Sequence, residues 1–458
     1  MERKLRGEIT VFLSLLFVLL VSFIGNMVAS ADLQVGKNKR RAVMDRAVYS
    51  VFGEYQKELL EEYEIFAIEG SYESGVFSED QILKRLTYYG ADSLESEITG
   101  IRYLTDNRGQ PFMEQVVTYM KDYSGIELAS ELVGSSQSWT EQEIEGSESQ
   151  EISDRTESDL EETLAENEAS LPADNNPIQA IADAKRSPLL TLILPKERTV
   201  SSKAIQLDAV ASHRSLQTGR GTFQVRNDTD SALSNLLFGE YLLTKFSNAS
   251  KEEKSAAALD YETEYLIAGK GSDRENLEAV ARRILLIRMG INFLYLQTDS
   301  EKQAEAEALA AALAALAALP IATELVKQAV LAAWAYGESI MDLRKLLKGN
   351  KTPLIKTKET WQLSLFSLTQ LGTAEDTGEG SHAKEGMSYQ DYLRMLLFLE
   401  EKNQCSMRAL DLIEQNMQTE KGLTFFRVDQ CITGLQLQSR TTFERGITYE
   451  FPTCFAYR

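Results

Sequence analysis

Few side chains in this sequence are of the types and spacings that do chemistry. It has two histidines, His213 and His382, both in polar segments expected to be exposed. The segment Gly269-Lys270-Gly271-Ser272 has the outline of a phosphate loop, but Glu264 stands where the first glycine should be, and Gly271 follows the lysine in place of Ser or Thr. A turn followed by a helix N-cap accounts for all four residues. There is no Gly-x-Ser-x-Gly elbow, His-Glu-x-x-His helix, Cys-x-x-Cys pair or EF-hand loop. Carboxylates are abundant, yet no spacing singles out a pair, and solvated carboxylates are the default. The expectation is a protein that is not an enzyme, with no catalytic residues, no cofactor and no metal site.

Three cysteines, Cys405, Cys431 and Cys454, are too few for a disulfide scaffold or a four-Cys zinc site. Near the end, Leu435 and Leu437 alternate with glutamines, and Ile447, Tyr449 and Phe451 alternate with polar neighbours, the period of a β-hairpin. A turn at Arg445 places Cys454 opposite Gln436 and leaves Cys431 without a facing residue, which disfavours a Cys431–Cys454 bond. Cys405 could reach one of the two, but buried thiols without a bond are expected.

These residues must be held by elements that the composition allows. The chain has 458 residues, 43% hydrophobic and 26% charged, enough for two to four units that each bury a core. With 48 Lys+Arg against 69 Asp+Glu, net −21, it lacks the basic excess needed to displace phosphate counterions, so nucleic acid is not an expected partner. Residues 141–168 hold twelve acidic residues and one basic residue, Arg155, and so supply −11 of that charge. Such a stretch reads as a solvated, disordered linker.

The amino terminus sets the location. Arg3, Lys4 and Arg6 precede an uncharged run from Ile9 to Ala31. As a helix, those residues rise about 34 Å, enough for a hydrocarbon core of about 30 Å. Ala29-Ser30-Ala31 also fits a signal-peptide cut site, so a secreted protein cleaved at Ala31 is the alternative. Beyond the run, Val43, Ala47, Val51, Tyr55, Leu59 and Tyr63 recur every four residues, with Met44, Val48 and Phe52 beside them, which implies that the helix continues into a soluble unit. Lys37, Lys39, Arg40 and Arg41 leave the charge rule undecided on orientation. A short tail before a first span normally puts the bulk of the chain outside. Within the span, Ser22, Gly25, Ala29 and Ser30 would permit close helix–helix approach in lipid.

Further along, strands are expected at 64–68 and 96–105, and helices from Ser78 to Tyr89 and from Pro111 to about Val133. Leu189–Leu194, between Pro188 and Pro195, reads as an extended segment or short strand. Helices follow from Ser231 to Phe246, and from a Ser272–Glu275 capping box with Leu277, Val280, Ile284, Ile287, Ile291 and Leu294 as its buried face. The uncharged Ala308–Thr323 is short for a span and reads as an interior helix hairpin turning at Pro320. Gly349 ends the next helix, 371–387 is a loop, and further helices begin at Ser388 and about Ser406. The fold class is α+β, predominantly helical. Its expected parts are a tail (1–8), a membrane helix (9–31), an α+β unit (32–134), an acidic linker (135–178) and a helix-rich domain (179–458) ending in the hairpin.

The segment from Gly7-Glu8-Ile9-Thr10-Val11-Phe12 to Glu58-Leu59-Leu60-Glu61-Glu62-Tyr63 resembles the start of a family of uncharacterised bacterial single-pass membrane proteins, themselves similar to TadE/TadG-like components of tight-adherence (Flp-type) pili. Leu192-Ile193-Leu194-Pro195, Val200-Ser201-Ser202-Lys203, Glu264 to Lys270 and Ala333-Trp334-Ala335-Tyr336 resemble the same family. The resemblance implies a pilin-like 32–134 unit on a retained anchor with a cytoplasmic N-terminus, and a non-enzymatic, pseudopilin-like or scaffold role. The implied partners are the lipid bilayer and other pilus or secretion components. Phe12, not glutamate, stands five residues after Gly7, so prepilin-peptidase processing is not expected. A tethered ligand-binding ectodomain is the other reading.

Overall fold

In the computed structural model, residues 5–457 are described apart from 195–197, 226–228, 230, 251–255, 374–375 and 377–385, with backbone alone for 5–7, 124–137 and 445. The protein is 63% helical, α+β, with a small sheet and a C-terminal β-hairpin. It divides into two compact units, each discontinuous in sequence.

The first unit comprises residues 1–107, 216–226 and 425–458. Helix α1 (Leu5–Phe52) runs unbroken from the apolar segment into this unit's core. Helix α2 (Lys57–Tyr63) follows, then β1 (Ile68–Glu69), α3 (Glu79–Leu86) and β2 (Glu95–Tyr103). The expected first strand shrinks to the two residues of β1, because Glu64 takes a left-handed conformation that caps α2. Strand β3 (Cys431–Thr442) is central, antiparallel to β2 on one side and to β4 (Thr448–Ala456) and β1 on the other.

The hairpin register pairs Gln436 with Cys454, as a turn at residue 445 requires. The hairpin does not close the helix-rich domain. It completes the sheet of the N-terminal unit, because a lone hairpin cannot bury its apolar face. That face meets α1: Met44, Ala47, Val48, Val51 and Phe52 form one core with Ile98, Ile101, Leu435, Leu437 and Phe451.

The second unit comprises residues 108–215 and 227–424. Its first helix is α4 (Asp106–Glu166). Positive φ at Asn107, Arg108 and Gly109 makes the opening a left-handed turn, so Pro111 falls in the first right-handed turn. The acidic stretch is therefore helical through Glu166, against the expectation of a disordered linker. The reason lies in spacing. Trp139, Gly146, Ser149, Ser153 and Leu160 recur at intervals of three, four or seven and are buried, while the acidic residues face outward. A Cβ on Gly146 would lie 2.7 Å from the Leu286 carbonyl oxygen, so only glycine permits this crossing.

Then come α5 (Pro177–Arg186), α6 (Leu189–Ile193), α7 (Ala232–Lys245), α8 (Glu262–Ala268), α9 (Asp273–Thr298), α10 (Ser300–Leu316), α11 (Thr323–Leu347), α12 (Leu365–Leu368), α13 (Tyr389–Leu399) and α14 (Lys402–Thr419). The Leu189–Leu194 segment is helix where a strand was expected; a short all-apolar run carries no period to tell the two apart. Ser272 and Ser388 are N-caps as read, with their acidic partners Glu275 and Asp391, and Ser231, read as the start of a helix, is its N-cap. The α10–α11 hairpin turns at 317–322, but its tip is not interior: Leu316 and Ile321 are exposed. On α9 the buried stripe leaves the expected line after Ile287, with Leu294 exposed and Arg288 and Asn292 buried in its place.

Candidate functional site

The anchor residues Ser22, Gly25, Ala29 and Ser30 all lie on the bare part of α1, and a Cβ on Gly25 would meet nothing. At about 100° per residue, Ser22, Gly25 and Ala29 share one stripe with Ser30 at its flank. The helix is long and apolar enough to cross a membrane, and none of its most apolar window is buried. Phe17 and Leu19, 67% and 70% exposed, have no protein environment to hide in.

The densest polar chemistry is elsewhere, inside the second unit. On α9, Arg288 and Asn292 are one turn apart; on α11, Glu338 and Asp342 are one turn apart; all four are fully buried. The Arg288 guanidinium donates to Asp342 Oδ2 through Nε (2.9 Å) and Nη2 (2.7 Å). Asn292 Nδ2 donates to the same oxygen at 3.2 Å. From the loop after Gly349, the Lys356 ammonium donates to Asp342 Oδ1 (2.8 Å) and Glu338 Oε1 (2.5 Å). Glu338 also accepts the backbone N–H groups of Gln362 and Leu363. Arg288 Nη1 further donates to the Pro353 carbonyl at 2.9 Å. Alanines at 329, 332, 333 and 335 give α11 little bulk on its buried surface.

Two cations meet two carboxylates, so the cluster is neutral. Burial would push the Asp342 carboxyl up, but Arg288 and Lys356 hold it below the usual carboxylate range. Burial raises Glu338, against the pull of Lys356. Lys345, one turn beyond Asp342, is pushed down to about 8 by burial and by Lys356. With its hydrogen bonds met inside, the cluster works as a lock that fixes α9, α11 and the 353–363 loop in one register. Sequence reading missed it, although Arg288-x-x-x-Asn292 directly follows the apolar run 284–287 and Glu338-x-x-x-Asp342 closely follows the apolar run 329–336, a legible signal.

A second buried group surrounds Glu264, whose Oε1 accepts the Ala249 N–H (2.9 Å) and the Tyr389 hydroxyl (2.8 Å). Among the described residues, its Oε2 and the buried Asn248 Nδ2 have no hydrogen-bond partner. Burial pushes this carboxyl up to about 7. The phosphate-loop outline resolves into Gly269, left-handed as the cap of α8, and Ser272, the N-cap of α9. His213 is exposed, and His382 lies outside the described residues. Cys405, Cys431 and Cys454 are in no disulfide; the first two are buried and the third is exposed. Among the described residues no three His, Cys, Asp or Glu side chains converge as metal ligands. A crevice between Ser153, Glu157, Lys185 and Ala332 has a volume of about 20 Å³, room for a single water.

No curated protein and no solved structure matches this chain. A family model does match, over residues 167–443, which takes in both buried polar groups and includes no part of α1 or α4. The match spans more than half of the sequence, and the chain belongs to that family, a family of unknown function (DUF5702).

Proposed function

We propose that this protein is a non-enzymatic, membrane-anchored scaffold subunit, pseudopilin-like in build, of a Flp/Tad-type surface assembly. The observation that carries the reading is the division of α1. One continuous helix is bare and apolar over its first half, while Met44 to Phe52 form the core beneath an antiparallel sheet. A helix shared in this way transmits the position of the anchor directly to the folded unit, without a hinge. The Flp/Tad assignment rests on the sequence resemblance alone. In this reading the amino terminus is cytoplasmic and the bulk of the chain lies outside the cell membrane. Lateral contacts run along Ser22, Gly25 and Ala29, where small side chains let a second helix come close.

The test uses the full chain in its own membranes. Resistance to alkaline wash and an intact amino terminus by mass are expected; a soluble mature chain beginning at Asp32 would establish the secreted alternative. Single cysteines placed at Ser22 and Ala29 in a background lacking Cys405, Cys431 and Cys454 should crosslink, to copies of this chain or to a neighbour. Gly25→Leu should reduce that yield several-fold. Unchanged yield would remove the lateral-contact stripe.

A further inference from the structure

Lys37, Lys39, Arg40 and Arg41 follow the apolar run on the same helix, and residues 33–44 carry four basic residues and no acidic ones in a chain of net charge −21. Asp32 precedes the cluster and Asp45 follows it. At about 1.5 Å per residue, Lys37 lies roughly 9 Å and Arg41 roughly 15 Å beyond Ala31. A headgroup layer adds about 5–8 Å to each side of the hydrocarbon core. Cα–Cβ bonds of a helix tilt toward its N-terminus, so these long side chains lean back toward the membrane.

The sheet reinforces this end of the unit. The Phe443 ring lies against the α1 backbone at Gly36, where an added Cβ would sit 2.9 Å from it. The β3–β4 turn thus stands beside the helix just past the apolar run, with Ile447 exposed on it and Val35 exposed on α1. Lys37 sits over the Tyr449 ring at 4.9 Å, and Arg41 over Tyr449 and Phe451 at 5.6 and 5.9 Å. The Arg40 guanidinium donates to the Ser93 hydroxyl. Three of the four cations are held in place by the folded unit, and Lys39 is exposed.

We propose that this end of the first unit is a lipid-binding foot, in which Lys37, Lys39, Arg40 and Arg41 hold anionic phospholipid headgroups of the leaflet that α1 leaves, while Val35, Ile447 and Tyr449 rest at the interface. Charge complementarity and continuity with the apolar helix identify the occupant. The proposal rests on the anchor reading, and it holds for either orientation, since it needs only anionic headgroups. A basic residue near such a surface gains about 1 kcal/mol, roughly a fivefold preference.

The experiment reconstitutes the full chain into phosphatidylcholine vesicles with a minority of phosphatidylglycerol. Electron spin resonance then compares the motionally restricted fraction of spin-labelled phosphatidylglycerol with that of spin-labelled phosphatidylcholine. At least about twofold selectivity for phosphatidylglycerol is expected, falling toward one in high salt. It should also fall in the variant K37Q/K39Q/R40Q/R41Q while that variant still resists alkaline extraction. Lys39→Gln, which touches no packing, should give a partial loss if the fourfold variant misfolds. Equal restriction of both lipids by an inserted protein would overturn the foot and leave the anchor standing. Alkaline extraction of the wild-type chain would overturn the anchor, and the foot with it. Protection of Lys39 from amine-reactive labelling in micelles free of anionic lipid would show a protein occupant and overturn the lipid assignment.

Discussion

Asp342→Asn is the sharpest test of the buried lock. It changes almost no volume, so packing is held constant while one charge is removed. Wild-type Asp342 accepts two bonds from Arg288, one from Asn292 and one from Lys356. An amide offers one oxygen, so whichever way it is turned its NH₂ meets donors on one side. Two cations then face Glu338 alone at sites with no exposed side-chain surface. Breaking a buried pair from one side costs about 3–5 kcal/mol, because a charge is left uncompensated. At about 2–3 °C per kcal/mol for a unit of this size, Tm should fall by roughly 6–15 °C. Tryptophan emission is the assay, since Trp334 and Trp361 both donate to the Leu363 carbonyl beside the cluster. The double variant Arg288→Met/Asp342→Leu should be less damaging than Asp342→Asn, because Lys356 and Glu338 remain paired and no cation is stranded. A Tm change below about 2 °C for Asp342→Asn, or a double variant worse than the single, would refute charge balance as the reason for the cluster.

Three further outcomes are expected. Burial raises Glu264 to about 7, so the folded protein holds its proton more tightly than the unfolded chain; stability is full below the unfolded value near 4.5 and declines as pH rises to 7, by about 3 kcal/mol in all. Urea melts of Glu264→Gln should show a flatter pH profile over that window than wild type, and an unchanged slope would mean that other groups carry it. Gly290→Leu should cost about 1–3 kcal/mol and open residues 141–168 to a glutamate-specific protease, because a Cβ there would lie 2.8 Å from the Gly146 Cα; wild type should resist cleavage in that stretch. In the native state a thiol reagent should modify Cys454 and spare the buried Cys405 and Cys431, with Cys405 further slowed because burial pushes its thiol up to about 12.

Local signals in this sequence were readable, and long-range ones were not. Capping serines, the α10–α11 turn and the register of the terminal hairpin each depend on a few neighbouring residues, and each lies where its chemistry puts it. The buried cluster depends on Arg288, Asp342 and Lys356 coming together from three elements. Taken singly, each is an ordinary charged residue in a helix or loop. What marks Arg288 and Asp342 is the company they keep along the chain, because the residues beside them on α9 and α11, such as Ile287, Met289, Met341 and Leu343, are buried and apolar. The acidic stretch misled for a related reason. Composition counts Glu141 to Glu168 as a solvated run, yet helix packing needs only one stripe, and between Trp139 and Leu160 that stripe in α4 runs through Gly146, Ser149 and Ser153. Ile144 and Ile152, the residues a hydrophobicity argument would bury, are the exposed ones.

The first unit carries the same lesson at the scale of the chain. Its central strand pairs Ile98 with Leu437 and Glu97 with Gln438, residues separated by most of the sequence. Nothing near β2 announces that partner, because a strand's own alternation fixes which face is buried and leaves open which edge is joined. The consequence bears on the anchor. The apolar stripe from Met44 to Phe52 has its full cover only when β3 and β4 are in place, and those are the last elements in the chain. The helical unit therefore enters the chain as two insertions, 108–215 and 227–424, between three segments of the first unit. The outer segments, 1–107 and 425–458, together close the sheet over the helix that carries the apolar run.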